Sequence, residues 1–459
     1  MSLRWPNGFI SANYDPLKTP GAPTIGTATS ASPTSVSVTF TAPSNVGGGA
    51  ITSYIATAKK TSDGTTVSGT GSSSPVTISG LTTGSAYTVT VAAVNAFGPG
   101  PSSAASNSVT PLNQYLYTFG RNNQGQLGLG DTVDRSVLTQ VGASGDWKSI
   151  AGGLNFSIAI KLNGSLWSWG YGGNALGQGD NTGRSSPAQV GLLTNWSKVS
   201  SGGNFSQAIK TDGTLWTWGG NVSGQLGIGS TSTRASPVQV GALTNWETVA
   251  CLKYGVIAIK TDGTLWAWGG NGAGQLGLND TVYRSSPIQV GALTTWANVS
   301  CGYAHVLAVK TDGTLWAWGI GNNGPLGINN TYSYSSPKQV GALTTWSKPF
   351  VRSSSYSSFV TKTNGTLWVW GRNGGNRCLG LGDGYNRSSP VQLGALTNWS
   401  QLSNVEQGSL ALKTDGTLWA WGYINKTTVN YSSPVQLGSS TTWISVGCGE
   451  QFGFGILGS

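Results

Sequence analysis

The chain has 459 residues, of which 70 are glycine and 20 are tryptophan, and only 9% are charged. Globular proteins typically carry about 25% charged residues, and long helices need more alanine, glutamate and lysine than this composition offers. A single histidine excludes a histidine-rich metal site and leaves His305 as the only imidazole for a catalytic triad. The composition therefore predicts an all-β protein.

The net charge of +10 is spread thinly, without a basic run. Nucleic-acid-binding proteins usually concentrate lysine and arginine in one patch. No stretch reaches the roughly 18 apolar residues of a membrane span, and residues 1–25 lack the pattern of a signal peptide. We therefore expect neither a nucleic-acid nor a membrane partner.

Residues 1–19 are predicted to form an N-terminal arm. Its apolar residues lie among proline, glycine and asparagine and are too few to build a core; they are Trp5, Phe9, Ile10 and Tyr14. One interpretation is a disordered tail or a strap folded back on the next domain. The interpretation we favour is an anchor whose aromatic side chains become ordered in pockets of a partner.

Residues 20–111 are predicted to form a separate β-sandwich. Val36, Val38 and Phe40 alternate with polar residues, and a longer alternating run begins at Tyr87. This segment resembles a fibronectin type III domain, with Tyr87 in the place of the tyrosine-corner residue. The resemblance implies a spacer or adhesion module.

Residues 112–459 contain a repeat of 49–52 residues. The segment Leu-Trp-x-Trp-Gly, or its first variant, begins at Leu116, Leu166, Leu215, Leu265, Leu315, Leu367 and Leu418. A second tryptophan motif opens another strand at Trp147, Trp196, Trp246, Trp296, Trp346, Trp399 and Trp443. Seven copies of four short strands with heavy aromatic packing predict a seven-bladed β-propeller.

One copy illustrates the local signals. Trp266 and Trp268 are two residues apart, so both should face one side of a strand. The turn Thr261–Thr264 contains Asp-Gly, which predicts a type I′ hairpin. A Gly-rich loop, such as Gly-Gln-Leu-Gly at 125–128, 224–227 and 274–277, and then a Ser-Ser-Pro or similar turn follow each strand of this kind.

The two ends of the repeat are complementary halves. The first copy begins at its Leu116 strand, and the last ends after the strands that follow Trp443. We expect one composite blade built from both ends, which would close the ring and remove a free sheet edge.

The segment from Val299 to Val309, followed by Asp-Gly and Trp-Gly, resembles the regulator-of-chromosome-condensation repeat. The resemblance implies a seven-bladed propeller. The founding member of that family is an exchange factor for a small nuclear GTPase. Here the histidine occurs in one copy only, at His305, and no segment matches an exchange-factor loop, so the resemblance does not imply that activity.

The titratable residues give no catalytic constellation, so we expect no enzyme, no cofactor and no metal site. Aspartates of the hairpin turns recur at Asp212, Asp262, Asp312 and Asp415. Aspartates of the following loop recur at Asp131, Asp180, Asp280 and Asp383. With one such residue in each copy, capping of the loop is expected rather than a calcium site, which needs several oxygen ligands. Cys251, Cys301 and Cys448 occupy equivalent positions and are expected to be buried thiols, and Cys378 lies alone in a loop. The hairpin lysines are expected to form a solvated rim rather than an anion site; they are Lys161, Lys210, Lys260, Lys310, Lys362 and Lys413.

One turn differs in every copy of the repeat, and equivalent turns should cluster at one end of the propeller. Its residues form a candidate ligand face: Lys253, Tyr254, Tyr303, His305, Tyr356, Glu406, Gln407, Glu450 and Phe452. Variation confined to one face is expected of a binding surface. It is also expected of unconstrained loop tips, so both interpretations stay open.

The opening residues, Trp5 to Leu17, followed by a fibronectin-like domain, resemble virion structural proteins of tailed phages. That resemblance implies a multicopy or homo-oligomeric component of the particle surface, either a capsid decoration protein or a tail-associated fibre, assembled in the host cytoplasm. The arm would bind other virion proteins, and the propeller would face outward toward a host glycan or protein. The alternative is a bacterial surface or exported adhesin. A chromatin binder or exchange factor would need a basic or catalytic face.

Overall fold

The computed structural model describes residues 18–375, 377–404, 408–423 and 430–459. The chain divides into two compact units after Gln114. Throughout the described ranges the regular elements are β-strands, and none of the structure described is a helix able to cross a membrane. The all-β prediction is confirmed.

The first unit is a sandwich of two sheets. Its strands are β1 (Thr24–Ser32), β2 (Ser35–Thr41), β3 (Ser53–Lys60), β4 (Thr66–Gly71), β5 (Val76–Ser79), β6 (Tyr87–Asn95) and β7 (Gly98–Pro99). The sheets have the orders β1-β2-β5 and β4-β3-β6-β7. Alternate residues of β2 and β6 are buried between the sheets, as the period-two pattern of the sequence requires.

Tyr87 forms the expected tyrosine corner. The backbone N–H of Thr82 donates a 3.0 Å hydrogen bond to the Tyr87 hydroxyl. Phe40 packs against Tyr54 with ring centroids 4.6 Å apart, inside the core. The resemblance to a fibronectin type III domain therefore extends to its characteristic buried tyrosine.

The second unit contains 28 strands in seven four-stranded sheets, here called blades 1 to 7. The first two strands of this unit along the chain, β8 (Gln114–Gly120) and β9 (Arg135–Gln140), belong to blade 7. Blade 1 consists of β10 (Trp147–Gly152), β11 (Phe156–Lys161), β12 (Leu166–Gly170) and β13 (Arg184–Gln189). Blade 2 consists of β14 (Trp196–Ser201), β15 (Phe205–Lys210), β16 (Leu215–Gly219) and β17 (Arg234–Gln239). Blade 3 consists of β18 (Trp246–Cys251), β19 (Gly255–Lys260), β20 (Leu265–Gly269) and β21 (Arg284–Gln289). Blade 4 consists of β22 (Trp296–Cys301), β23 (His305–Lys310), β24 (Leu315–Gly319) and β25 (Tyr334–Gln339). Blade 5 consists of β26 (Trp346–Phe350), β27 (Ser357–Lys362), β28 (Leu367–Gly371) and β29 (Arg387–Gln392). Blade 6 consists of β30 (Trp399–Asn404), β31 (Gly408–Lys413), β32 (Leu418–Gly422) and β33 (Tyr431–Gln436). Blade 7 is completed by β34 (Trp443–Cys448) and β35 (Phe452–Gly458).

The blades close into a ring. The tryptophan-led strand of each blade packs against that of the next, and β34 packs against β10. These seven strands are therefore innermost. Blade 7 has the order β34-β35-β8-β9, so strands from both ends of the repeat region share one sheet.

Tryptophans join neighbouring blades. Trp266 and Trp268 both pack against Trp246, with centroid distances of 6.1 and 5.8 Å, so they face one side of the blade as predicted. Trp268 Nε1 also donates a 3.1 Å hydrogen bond to the carbonyl oxygen of Gln225 in the preceding blade. Equivalent bonds are made by Trp169, Trp218, Trp318, Trp370 and Trp421.

This contact explains the Gly-x-Leu-Gly loops. Gly227 has a φ of +71°, and a Cβ atom there would lie 2.6 Å from Trp268 Nε1. The indole of the next blade thus occupies the space that any side chain would need.

The hairpins and the Ser-Ser-Pro segments differ from the predictions. Gly263 has a φ of +75°, but no aspartate of these turns has a positive φ. Each turn is therefore a three-residue loop with glycine in the left-handed region, and the type I′ prediction is wrong. Ser285 to Pro287 lie within β21, the outer edge strand of blade 3, where proline costs no ladder hydrogen bond.

The propeller has two chemically different ends. Strands within a blade are antiparallel, so the turn after the first strand (ab turn) and the loop after the third strand (cd loop) lie at the same end. We call this the variable end, because its ab turns differ between copies. The opposite end carries the Lys-Thr-Asp-Gly-Thr turns and is called the hairpin end.

Candidate functional site

The ab turns form a ring around the mouth of the central channel, and backbone hydrogen bonds link five successive pairs of them. The turns of blades 7, 1, 2, 3 and 4 each donate an N–H to the next turn, with the pairs Glu450–Gly153 (3.2 Å), Leu154–Gly203 (3.0 Å), Gly203–Lys253 (3.0 Å), Lys253–Tyr303 (3.3 Å) and Tyr303–Ser355 (2.9 Å). The side chains of these turns are therefore held at fixed spacing on one surface.

Four residues of this ring form an aromatic and cationic cluster, here called the Lys–Tyr cluster: Lys253, Tyr254, Tyr303 and Tyr356. The rings of Tyr303 and Tyr356 stack, with centroids 4.8 Å apart and planes at 22°. Lys253 Nζ lies 4.8 Å from the Tyr303 centroid and 5.7 Å from that of Tyr254. Tyr254 is 41% exposed. The structure thus brings together four of the nine residues predicted for the ligand face.

Further exposed tyrosines lie at the same end of the propeller as the cluster. Among the described residues of the propeller, the tyrosines that are at least 41% exposed all lie at the variable end: Tyr171, Tyr254, Tyr283, Tyr332 and Tyr385. Four of these lie in cd loops and were missed from the sequence. A signal was available for two of them, because Tyr283 and Tyr385 stand inside the Asp-x-x-x-Arg segment that precedes a fourth strand.

Two residues predicted for the ligand face are not on the surface. His305 and Phe452 have no exposed area. Each is the first residue of a second strand, β23 or β35, and points into the core where blades 1 and 2 have Phe156 and Phe205. Both assignments are therefore corrected: these side chains pack between strands and cannot contact a ligand.

His305 is held neutral by its surroundings. Its Nε2 lies 3.0 Å from the Ser358 hydroxyl, and that hydroxyl donates its only hydrogen to the carbonyl oxygen of Pro325 at 2.6 Å. The Nε2 atom must therefore carry the donated hydrogen. Burial lowers the pKa of His305 from 6.5 to about 3, which suits a structural role.

The remaining predicted residues divide into two groups. Glu450 is half-buried in its ab turn and bonds to Gly153 through its backbone. The others lie outside the described residues: Trp5, Phe9, Ile10, Tyr14, Glu406 and Gln407.

The hairpin lysines are not a solvated rim. Lys260 is 5% exposed, and its Nζ lies 3.6 Å from the Trp266 centroid and 4.9 Å from that of Trp246. Burial lowers the pKa of this ammonium group. The same arrangement recurs at Lys161, Lys210, Lys310, Lys362 and Lys413. The rim prediction is wrong because these side chains bind tryptophan faces instead of water.

The loop aspartates fix the cd loops. Asp280 accepts hydrogen bonds from the Val282 backbone (2.9 Å) and from Asn271 (3.0 Å), and it pairs with Arg284 at 2.5 Å. These contacts, the Val282 N–H first, lower the pKa of Asp280. Across the residues that the structure describes, no three His, Cys, Asp or Glu side chains cluster as a metal site.

The four cysteines are free and buried. Burial raises the pKa of Cys251 to about 12 and that of Cys448 to about 11. Reactive cysteines have a lowered pKa and access to solvent. These thiols have neither property, and the prediction of buried thiols at this position is confirmed.

A closed ring of seven four-stranded blades defines the second unit as a seven-bladed β-propeller. The family model for the regulator of chromosome condensation (RCC1) repeat matches residues 115–160, 163–209, 212–259, 262–309 and 312–356, more than half of the chain. The chain therefore belongs to the RCC1 repeat family. A second RCC1 repeat model matches residues 196–225 and 296–324, and the fibronectin type III model matches residues 21–109.

Solved structures agree with this fold. The chain is similar to yeast RCC1 (Prp20) from a structure with Kap60, with 18% identity, a TM-score of 0.67 and coverage of 76% of this chain and 89% of that chain. Prp20p from Saccharomyces cerevisiae, described with its binding to Gsp1p and histones, gives 19% identity, a TM-score of 0.66 and coverage of 75% and 91%. Human WBSCR16 gives 18% identity, a TM-score of 0.66 and coverage of 75% and 99%. Among curated protein sequences, none matches this chain significantly.

Proposed function

We propose that this protein is a non-enzymatic structural and binding protein whose propeller holds a ligand at its variable end. The Lys–Tyr cluster carries the proposal. Tyr303 and Tyr356 stack across two blades, and the backbone hydrogen bonds between neighbouring ab turns, Lys253 to Tyr303 and Tyr303 to Ser355, hold this part of the surface in place. Preorganised aromatic side chains lose little conformational entropy on binding and are enriched at the centres of binding surfaces.

The ligand that suits this surface is a glycan or protein on another surface. Tyrosine offers an apolar ring face and a hydroxyl, so it can pack and donate hydrogen bonds in the same contact. Lys253 adds a positive charge above the Tyr303 ring. The outer tyrosines, 52–74% exposed, extend the contact area beyond the cluster.

We place this binding protein, as part of the same proposal, on the particle of a tailed phage. The support is the resemblance of the opening residues and the fibronectin-like domain to virion structural proteins. In this proposal residues 1–19 anchor the protein to the capsid or tail, the sandwich acts as a spacer, and several copies face outward. The protein would be a decoration protein or a tail-associated fibre, and assembly would occur in the host cytoplasm.

The alternative is a bacterial surface or exported adhesin that uses the same variable end. The yeast relatives are described with Kap60, Gsp1p and histones. An identity of 18–19% supports the fold alone, so we do not transfer those partners to this chain.

Immunogold electron microscopy of purified particles, with an antibody against the propeller, tests the virion assignment. Label on the head supports a decoration protein, and label at the tail supports a fibre. Unlabelled particles would remove the virion assignment and leave the adhesin alternative. A protein lacking residues 2–19 should fold but should not be incorporated, and its incorporation would contradict the anchoring role.

Binding of the full-length protein to host cells tests the variable end. We expect Tyr303→Ala with Tyr356→Ala to reduce cell binding by at least about tenfold, the loss typical of a binding hot spot. Leu293→Ala is the control, because Leu293 is 48% exposed at the hairpin end. Equal binding by both variants would refute the assignment of this face.

A further inference from the structure

The centre of the propeller encloses a polar cavity of about 390 Å³. It is lined by the innermost strands of blades 2 to 7, including Ser200, Ser201 and Ser300. No aspartate or glutamate of the described ranges lines it. Lys348 and Arg352, both from blade 5, supply the charged groups of this lining.

Arg352 reaches the cavity because one turn is longer than the others. In blade 5 the first residues of the first two strands, Trp346 and Ser357, are 11 positions apart, whereas the equivalent residues of blades 1 to 4 are 9 apart, so the ab turn of blade 5 has two extra residues. From this turn the Arg352 Nη2 atom donates hydrogen bonds to the carbonyl oxygens of Gly152 and Cys448, in blades 1 and 7. The side chain therefore crosses the channel and borders the cavity at its variable end.

The positive charge of Arg352 has no counter-charge in the described protein. No carboxylate pairs with it there, and its other guanidinium nitrogens have no acceptor among the described residues. The electrostatic interactions that favour its charged form come from Cys448 and Cys251. Both thiols are neutral near pH 7, because burial raises their pKa values to about 11 and about 12.

A second polar group at the same position also lacks a partner. Ser201 is 3% exposed, and its hydroxyl makes no hydrogen bond. Ser353, the next residue after Arg352, donates to the Ser201 carbonyl oxygen at 3.5 Å, so the two segments meet at the cavity wall. A buried hydroxyl without a partner is costly unless something accepts its hydrogen bond, and the half-buried guanidinium beside it has no opposite charge among the described residues.

We propose that the central cavity binds a small tetrahedral oxyanion, phosphate or sulfate, between Arg352 and the Ser201 hydroxyl. The planar guanidinium can give two parallel hydrogen bonds to such an anion. Ser201 supplies a third donor, and Lys348 adds positive charge from the same blade. The anion would link blade 5 to the strands that line the cavity and so would stabilise the closed ring.

Isothermal titration of the full chain with inorganic phosphate, and separately with sulfate, in a low-chloride buffer tests the proposal. We expect one saturable site per chain for at least one of the two anions. Arg352→Gln should weaken that binding by at least about tenfold, because it removes the charge from the buried contact. Arg387→Gln is the matched control, since Arg387 pairs with Asp383 in an outer loop, and it should bind like the unmodified protein.

The absence of saturable binding in the unmodified protein would overturn the proposal, as would unchanged binding by Arg352→Gln. Because that variant also loses two bonds to carbonyl groups, its circular dichroism must match that of the unmodified protein. If it does not fold, crystals of the unmodified protein soaked in selenate decide the question. An anomalous selenium peak beside the Arg352 guanidinium supports the site, and peaks confined to the outer surface refute it.

Discussion

Tyr303 and Tyr356 stack across the boundary between blades 4 and 5, with ring centroids 4.8 Å apart and planes at 22°. The longer ab turn of blade 5 makes this contact, since its Ser355 carbonyl accepts the Tyr303 N–H at 2.9 Å. The same turn carries Arg352 into the central cavity. The ab turn of blade 5, with its two extra residues, therefore supplies both Tyr356 of the Lys–Tyr cluster and the Arg352 side chain that crosses the channel.

The stack predicts a measurable coupling between the two tyrosines. In a double-mutant cycle of Tyr303→Ala and Tyr356→Ala, we expect a coupling of about 0.5–1.5 kcal/mol in the free energy of unfolding. Tryptophan fluorescence during urea denaturation is suitable, because residues 20–111 contain no tryptophan. Tyr303 and Tyr385 are the control pair and should be additive within about 0.5 kcal/mol. An additive Tyr303–Tyr356 cycle would contradict the stabilising role of the stack.

The architecture was predictable because the repeat encodes it several times over. Seven tryptophan-led strands and seven Leu-Trp-x-Trp-Gly variants gave the number of blades. Strand alternation gave the face on which Trp266 and Trp268 lie. The complementary ends of the repeat indicated the pairing of β34 and β35 with β8 and β9.

The wrong predictions concern residues whose surroundings are formed by segments distant in the sequence. The variation between copies predicts His305 to be a turn residue, but it opens β23 at the position where blade 1 buries Phe156. Lys260 looked like a solvated charge because its sequence neighbours do not reveal the two indoles that enclose it. Arg352 was missed, although the 52-residue step between Leu315 and Leu367 marks the blade with the longer turn.

The Gly-x-Leu-Gly loop predicts a large cost for a single methyl group. Gly227→Ala would place Cβ 2.6 Å from Trp268 Nε1, whereas Gly241 has nothing within 4 Å of its Cβ position. Both glycines have a positive φ, +71° and +61°, so both variants carry a backbone cost of about 1–2 kcal/mol. We expect Gly227→Ala to lose about 1–3 kcal/mol more, because the core must shift. Equal unfolding free energies for the two variants would contradict the close approach of the indole.

The hydrogen bond between blades predicts unequal roles for two adjacent tryptophans. Trp268→Phe removes the 3.1 Å interblade donor to the buried Gln225 carbonyl, which keeps its 3.2 Å bond from Gln207 Nε2, so the lost bond should cost about 0.5–1.5 kcal/mol beyond the lost packing. Trp266→Phe removes a 2.9 Å bond to the Thr264 hydroxyl, which still donates to the exposed Asp262 within the same hairpin, so no bond between blades is lost. Urea denaturation of the two variants compares them directly. The interblade role is refuted if Trp266→Phe proves the more damaging change.

The buried histidine predicts a pH dependence of stability. His305 has a pKa of about 3 in the folded protein, against 6.5 in its ordinary state. Between these values the unfolded chain binds a proton that the folded chain does not, so the free energy of unfolding falls as the pH drops. The slope from this one residue approaches about 1.4 kcal/mol per pH unit.

His305→Phe should remove that slope between about pH 4.5 and 6.5, above the range in which aspartates titrate. Phenylalanine is the natural replacement, because Phe156 and Phe205 contact Gly153 and Gly202 as His305 contacts Gly302. The chain has one histidine, so no other imidazole contributes to the difference between the two proteins. Urea denaturation at several pH values measures it. If the variant and the unmodified protein lose stability in parallel on acidification, His305 is not held neutral by the fold.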